Sequence, residues 1–284
     1  MFGETRYIAW ALRRYGNVKY DLATSGIPLA KGLVSAPEID DQEAYGRLLE
    51  SIAKYNERPV EEVVPALGTT QGVFLAYAAM LSPGDEVLVE HPGYEPLTRT
   101  AEGLGATVRT FERREENGFA IDPAEVAARV TPRTRAIVVT TLHNPTGARV
   151  PDETLRELAA IAEARGAYLL VDEVYAAFDD LAPDGVFRRS ARKLGSNVVC
   201  VSSLTKCYGL GMYRIGWVLG PPEIVAGVKA ASIATFGHLP LAHAALGVQA
   251  FAKLGELTAR SRSLYLGKRE IAAEWVASLG AKAR

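Results

Sequence analysis

Short β-branched apolar runs alternate with longer stretches of helical spacing between residues 85 and 220. The apolar runs are EVLVE, RAIVVTT, AYLLVDEV, NVVCVSS and IGWVLG, and VVPAL precedes them. Several have no polar alternation, as expected for strands that helices cover on both faces. EPLTRTAEGLG and DETLRELAAIAEARG have helical spacing and end at glycine. This order predicts an α/β fold of three αβα layers with a mostly parallel central sheet.

The two ends of the chain have different patterns. Residues 1–40 contain the breaks SGIP and SAPEIDD and are predicted to form an irregular N-terminal arm, and DQEAYGRLLESIAKYNE then predicts an amphipathic helix. Residues 41–250 form the predicted large domain. From about residue 222 the pattern is helical, and residues 251–280 predict one long helix, straight or bent, with which the chain ends.

Composition narrows the class of partner. The chain has 284 residues, of which 48% are apolar, so it can bury a sizeable core. Its 32 Lys and Arg against 33 Asp and Glu leave no net field that would attract nucleic acid or an anionic membrane. No apolar stretch approaches the length of a membrane span. We therefore expect a cytoplasmic protein with small-molecule partners, and we expect Cys200 and Cys207 to be reduced thiols.

Four segments bring polar side chains to the place where a predicted strand ends. Ligands of open α/β sheets bind outside the carboxyl ends of the strands, so these residues are candidates for chemistry. RAIVVTT leads to Asn144 in HNPTG, AYLLV to Asp172 and Tyr175 in DEVY, and NVVCV to Ser203 and Lys206 in SSLTK. VVPAL leads into GTTQG before a helix. Taken singly, Asn144 is more often a turn residue, and GTTQG is more often a capped helix start.

Three charged residues are harder to explain by structure alone. The Asp172 carboxylate directly follows a buried strand and requires a partner, for which a cationic ring nitrogen would serve. Lys206 could be a surface lysine, but its neighbours are hydroxyls, glycines and apolar residues, a setting that turns an amine into a nucleophile. Arg214 either ends a strand in solvent or clamps a phosphate. With GTTQG as a further phosphate site, these groups are what pyridoxal phosphate requires.

The order of the motifs resembles that of the class I and II aminotransferases, which are fold-type I pyridoxal phosphate enzymes. The resemblance covers roughly residues 20–280 and rests on GTTQG, HPGYEP, HNPTG, VDEVY and SLTK followed by GLGMYRIGW. It implies a homodimer whose large domain binds the cofactor, and it implies that residues 251–284 contain an interdomain helix and the start of a truncated small domain. The family's arginine for the substrate carboxylate has no counterpart, because Arg260, Arg262 and Arg269 are expected to be solvated.

The resemblance assigns a role to each candidate residue. Lys206 would form the internal aldimine and later move the proton between the substrate's α-carbon and the cofactor. Asp172 would keep the ring nitrogen protonated, Tyr175 and Asn144 would hydrogen-bond the phenolic oxygen, and Tyr94 would stack on the ring. The residues implied in phosphate binding are Gly68, Thr69, Thr70, Ser203 and Arg214. Those implied in substrate binding are Gly26 and Asn144.

The sequence therefore predicts an aminotransferase that moves an amino group from an α-amino acid to a 2-oxo acid and uses no metal. A lyase, a decarboxylase or a cyclising synthase would use the same Lys206, Asp172 and Arg214, because the surroundings of the cofactor choose the bond that breaks. A third hypothesis is a truncated protein that binds pyridoxal phosphate without catalysis. Neither Tyr45 nor Tyr55 matches the tyrosine that the family extends across its dimer interface.

Overall fold

A seven-stranded sheet forms the centre of the molecule, in the order β1-β7-β6-β5-β4-β2-β3. The computed structural model describes residues 3–14, 18–20, 24–34, 42–178 and 190–280, and the rest of the predicted arm lies outside this set. Among the described strands, β7 alone runs in the direction opposite to the other six. The strands are β1 (Val63–Leu67), β2 (Glu86–His91), β3 (Thr107–Glu112), β4 (Thr134–Thr140), β5 (Tyr168–Asp172), β6 (Val198–Ser203) and β7 (Ile215–Leu219).

Helices cover both faces of this sheet. They are α1 (Arg6–Leu12), α2 (Ala44–Asn56), α3 (Thr69–Met80), α4 (Glu95–Gly103), α5 (Pro123–Arg129), α6 (Asp152–Glu163), α7 (Pro222–Phe236), α8 (Leu241–Ala252), α9 (Leu254–Tyr265) and α10 (Lys268–Ser278). Successive residues of a strand point to opposite faces, so Ile137 and Val139 belong to the buried cluster that includes residues of α2 and α6, whereas Val138 belongs to the cluster that includes residues of α3 and α4. The two buried clusters confirm the predicted three-layer αβα fold.

The strand β3 was absent from the sequence-based expectation. Its residues TVRTFE include only two apolar side chains, Val108 and Phe111, and only Phe111 among them is buried. Because β3 is an edge strand with one neighbour, β2, part of it faces solvent and it lacks the apolar run that identified the other strands. The arm also contains the short helix α1, where an irregular chain was expected. The first amides of α1, at Arg6 and Tyr7, donate to the Glu95 carboxylate of α4.

The expectation of one long helix over residues 251–280 is wrong. The region consists of the end of α8 followed by α9 and α10. Lys253 has a non-helical backbone between α8 and α9, and Gly267 adopts a left-handed conformation with φ of 75° between α9 and α10. A left-handed residue ends the run of helical hydrogen bonds, and glycine adopts it at little cost. Apolar spacing alone does not report these interruptions.

Two smaller expectations concern cysteines and membranes. Cys200 and Cys207 are buried free thiols, as expected. Among the described residues, no helix combines the length and the apolar character that crossing a bilayer requires.

Candidate active site

One edge of the sheet gathers the candidate residues. Thr140 at the end of β4 lies in register with Asp172 at the end of β5, so these carboxyl ends are adjacent. The antiparallel strand β7 begins where the others end, because Leu67 of β1 pairs with Ile215 of β7. Arg214, directly before β7, therefore lies at the same edge as the loops that follow β1, β5 and β6. The topology explains how an arginine before a strand joins residues that follow strands.

Lys206 and Asp172 form an electrostatic pair at this edge. Asp172 is 3% exposed, and burial raises the pKa of its carboxyl to about 7, although the Val174 amide and the nearby Lys206 amine oppose the rise. Burial, and next the positive charge of Arg214, lower the pKa of the Lys206 amine. Desolvation thus disfavours both charged forms. A nearby cation would stabilise the ionised form of this buried carboxyl. The amine, with its lowered pKa, is closer to its nucleophilic neutral form.

The N-terminal arm lies against the lysine. The Lys206 amine donates to Ser25 Oγ at 2.9 Å, and the Ile27 amide donates to the Lys206 carbonyl at 2.8 Å. Gly26, at φ of 105°, brings its backbone so close that a Cβ would lie 3.3 Å from the Lys206 Cα. The Ser25 hydroxyl also hydrogen-bonds the side chain of Tyr175, whose pKa burial raises to about 12. The predicted substrate residue Gly26 is therefore beside the predicted nucleophile.

A glycine cradle surrounds the Arg214 guanidinium. Gly68 adopts φ of 81°, and a Cβ there would lie 2.7 Å from Arg214 Cζ. Gly216 is equally restricted, since its Cβ would lie 2.6 Å from the Gly68 Cα. Arg214 itself adopts a left-handed backbone with φ of 55°, an uncommon conformation for a residue with a Cβ. These three residues let the start of α3 approach the guanidinium without steric conflict.

Hydroxyl groups line the same cradle. Thr69, the first residue of α3, donates to Ser203 Oγ at 2.8 Å, and Ser203 Oγ lies 2.7 Å from Thr205 Oγ1. Thr70 hydrogen-bonds the hydroxyl of Tyr94, which follows β2. Together with the free amides at the start of a helix and with Arg214, these hydroxyls are a donor set suited to a phosphate dianion. Sequence analysis included Thr69, Thr70, Tyr94 and Ser203 but missed Thr205.

Asn144 lies in the loop after β4. Its backbone amide donates to Thr140 Oγ1 at 3.1 Å, and the side chain is half-buried. Thr141, at the start of the same loop, donates its amide to the Asp172 carbonyl at 2.9 Å. The loop that carries Asn144 is thereby attached to the end of the strand that carries Asp172.

Three charged or titratable neighbours have structural partners. Glu173 accepts hydrogen bonds from the Ser190 hydroxyl and the Ala191 amide, both at 2.6 Å, in agreement with a structural role. His143 contacts Thr146 Oγ1 and the Pro92 carbonyl. The expectation that Arg260 is solvated is wrong, because its guanidinium donates to the Leu29 carbonyl of the arm at 3.1 Å. This hydrogen bond helps to hold the arm against the loop that carries Lys206.

Two residues of the site were missed, and each stood beside a residue that was chosen. Ser25 precedes Gly26, and Thr205 precedes Lys206. The available signal for Thr205 was its position in SLT, where its hydroxyl comes two residues after that of Ser203. Ser25 had no local signal, because its contact with Lys206 joins residues 181 positions apart.

The assembled groups fit pyridoxal phosphate. Asp172 is a buried carboxyl with a raised pKa, and a nearby cation such as a protonated pyridine nitrogen would stabilise its ionised form. The cradle at Gly68 and Arg214 offers phosphate donors, and Lys206 offers an amine. These three groups lie at one edge of the sheet, as a ligand with a phosphate, a ring nitrogen and an aldehyde requires.

The chain belongs to the class I and II aminotransferase family. The family model described as aminotransferase class I and II matches residues 38–272. Members of this family depend on pyridoxal phosphate. The match confirms the predicted family and the predicted cofactor, and the family consists of enzymes that include named transaminases.

Three relatives illustrate the range of the family. The chain is 36% identical to arginine–pyruvate transaminase of Pseudomonas aeruginosa over 58% of its length and 42% of that protein. It is 31% identical to capreomycidine synthase of Streptomyces vinaceus over 76% of its length and 59% of that protein. The structure of a Thermus thermophilus aspartate aminotransferase tetra mutant superposes with a TM-score of 0.76 at 28% identity, covering 88% of this chain and 70% of that one. Both curated relatives are thus matched over less than two thirds of their lengths.

Proposed function

We propose that this protein is a pyridoxal phosphate-dependent aminotransferase that moves an amino group from an α-amino acid to a 2-oxo acid. The observation that carries the proposal is the position of the Lys206 amine, which interacts with buried Asp172 and hydrogen-bonds Ser25 at the sheet edge. The cofactor, when bound, supplies an aldehyde for amines and a conjugated ring that accepts the electrons of a broken bond. The protein supplies binding, orientation and proton transfer.

Each side chain has a distinct part in this proposal. Lys206 would provide the amine that holds the cofactor, and the same amine would accept and return the proton of the substrate's α-carbon. Asp172 holds the proton of the ring nitrogen by charge pairing. Tyr175 and Asn144 would hydrogen-bond the phenolic oxygen, and Tyr94 would pack on the ring. Their half-buried positions around the sheet edge support these assignments.

The phosphate and the substrate would be held by different groups of residues. We assign the phosphate to the donor set described above, whose members are Gly68, Thr69, Thr70, Ser203 and Arg214. Helix α3 begins at Thr69, so its free amides and positive dipole end add to this site. The substrate carboxylate is assigned to the backbone of Gly26 and the side chain of Asn144. The hydrogen bonds of Ser25 and Ile27 to Lys206 hold the arm on that side.

The assembly and the location of the protein also belong to this proposal. We infer a cytoplasmic homodimer, with residues 41–250 as the cofactor-binding domain and residues 251–284 as an interdomain segment and the start of a small domain. The near-neutral net charge of −1 agrees with small-molecule substrates and a second copy of the chain as partners. Light scattering should give twice the 30.6 kDa mass of the chain. A mass of one chain would contradict the dimer.

A cyclising synthase is the second candidate. The observation in its favour is the similarity to the relative named capreomycidine synthase, at 31% identity over 76% of the chain. Lys206, Asp172 and Arg214 serve both reactions, because these groups bind and orient the cofactor and do not select the bond. The products separate the two: transfer yields a 2-oxo acid and the aminated cofactor, whereas cyclisation leaves the amino group in the product and yields neither an oxo acid nor the aminated cofactor.

The test is the visible absorption of the purified protein with pyridoxal phosphate. We expect a band of lysine-bound cofactor that is lost in Lys206→Ala and retained in Lys229→Ala, which removes an exposed lysine of α7. An amino acid that converts this band to that of the aminated cofactor, with release of its oxo acid, supports the aminotransferase. A band that no amino acid alters would leave a cofactor-binding protein without transfer activity, and a band that survives Lys206→Ala would refute the site.

A further inference from the structure

A buried ion pair lies behind the loop that carries Asn144. Glu90, near the end of β2, and Arg113, directly after β3, have fully buried side chains whose Oε2 and Nη1 atoms are 2.7 Å apart. The Arg113 Nε also donates to the Phe119 carbonyl at 2.7 Å. A charge pair removed from water requires close geometry and further hydrogen bonds to offset its desolvation. Neither residue has a part in the cofactor contacts proposed above.

The second oxygen of Glu90 reaches the Asn144 loop through one threonine. Glu90 Oε1 accepts the Thr140 amide at 2.7 Å and the Thr140 hydroxyl at 2.5 Å. The Thr140 hydroxyl donates its only proton to Glu90, so its lone pairs point away from Glu90. They accept the backbone amide of Asn144 at 3.1 Å. Burial raises the pKa of Glu90 to about 7, although the charge of Arg113 and the Thr140 hydrogen bonds oppose the rise. In its carboxylate form, Glu90 sets the direction of the Thr140 hydroxyl, and this direction makes the hydroxyl an acceptor for the Asn144 backbone amide.

The same cluster connects the two motif loops. Pro92 and Tyr94 belong to HPGYEP, and His143 and Asn144 belong to HNPTG. One ring nitrogen of His143 lies 2.8 Å from the Pro92 carbonyl and the other 2.7 Å from Thr146 Oγ1. Burial, and next the charge of Arg113, lower the pKa of His143 to about 4, so the ring is neutral. A neutral ring donates to the carbonyl and accepts from the threonine, which fits both contacts.

We propose that Glu90 is a positioning residue of the active site: with Arg113 and Thr140 it fixes the Asn144 loop and so directs Asn144 toward the cofactor's phenolic oxygen. This inference rests on the proposed function. A carboxylate is required because three donors converge on two oxygens, from the Thr140 amide, the Thr140 hydroxyl and the Arg113 guanidinium. A glutamine at this position has one accepting oxygen. Its NH2 group would therefore face donors, either the Arg113 guanidinium or the Thr140 amide and hydroxyl. The Thr140 hydroxyl would then turn, and Asn144 would lose its acceptor.

The opposite end of the same strand provides a matched control. Glu86, the first residue of β2, is 1% exposed and accepts the hydroxyls of Thr131 and Thr134 at 2.9 and 3.0 Å. Arg109 of β3 donates to it at 3.3 Å. Glu86 thus lies on the same strand as Glu90, is equally buried and has the same kinds of partner. It lies at the amino end of the parallel strands, away from the cofactor residues.

The experiment measures the pH midpoint of the visible band of lysine-bound cofactor. A hydrogen bond to the phenolic oxygen changes that midpoint, so Asn144→Ala should shift it by about one pH unit. We expect Glu90→Gln and Thr140→Val to shift the midpoint in the same direction. The double variant of Glu90→Gln and Asn144→Ala should shift it no further than Asn144→Ala. Thr140→Ser, which keeps the hydroxyl, and Glu86→Gln should retain the wild-type midpoint.

The outcomes separate this inference from a structural role and from the proposed function. Glu90→Gln and Glu86→Gln should both lower the thermal unfolding midpoint, since each disturbs a buried carboxylate, but only the former should move the absorption midpoint. A wild-type absorption midpoint in Glu90→Gln, or additivity with Asn144→Ala, overturns the inference and leaves the function intact. Should Glu90→Gln fail to fold because Arg113 is left unpaired, Thr140→Val against Thr140→Ser decides. Absence of any band in the wild type overturns both.

Discussion

Asp172 makes the stability of the cofactor-free protein depend on pH. Burial raises the pKa of this carboxyl from 3.8 to about 7 in the folded protein, while the unfolded chain ionises near the ordinary value. Between these values the folded state holds a proton that the unfolded state has released. The contribution of Asp172 to stability is therefore fully present below about pH 4 and is lost as the pH rises through about 7.

The magnitude follows from the two pKa values. The difference between 3.8 and about 7, at about 1.4 kcal/mol per pKa unit, corresponds to about 4 kcal/mol of unfolding free energy. Asparagine does not titrate. The free energy of unfolding of Asp172→Asn, relative to that of the wild type, should therefore rise by about 4 kcal/mol from below pH 4 to pH 8. Any constant effect of the amide cancels in this comparison.

The assay is urea unfolding of the cofactor-free proteins at pH values from 4 to 8, followed by circular dichroism. Glu173→Gln is the matched control, because Glu173 is also buried and burial also raises its pKa to about 7. Both variants should show the pH-dependent gain, but only Asp172→Asn should lose affinity for pyridoxal phosphate. A stability difference between Asp172→Asn and wild type that stays constant with pH would refute the reasoning.

Two further substitutions test the contacts of the site. Ser25→Ala removes an acceptor of the Lys206 amine, which destabilises its charged form, so the pH profile of cofactor attachment should shift down by about half a pH unit while Ser25→Thr retains it. Gly68→Ala places a Cβ 2.7 Å from Arg214 Cζ and should weaken pyridoxal phosphate binding at least about tenfold in a titration. Gly105→Ala, at φ of 87° and without such a contact, should lower stability but retain the affinity.

The sheet could be predicted because most of its strands are buried on both faces. The buried part of a strand such as β5 has to be apolar, so its first charged residue, Asp172, marks both the end of the strand and a candidate site. The same reasoning fails for β3, which has one neighbour and tolerates Arg109 within the strand. The apolar pattern also failed to predict the break between α9 and α10. The left-handed turn at Gly267 separates these helices, although the spacing of apolar residues stays helical across it.

Contacts between distant segments were beyond the reach of a local pattern, and Glu86 and Glu90 show why. In EVLVE both carboxylates flank the same apolar run, and their neighbours along the chain do not distinguish them. The difference arises from the parallel register with β4, which sets Glu86 beside Thr134 and brings Thr140 to the end that carries Glu90. Only the latter end faces the cofactor residues. A charged residue at a strand end therefore gains a role from the strand beside it, and that neighbour is fixed by the topology of the sheet.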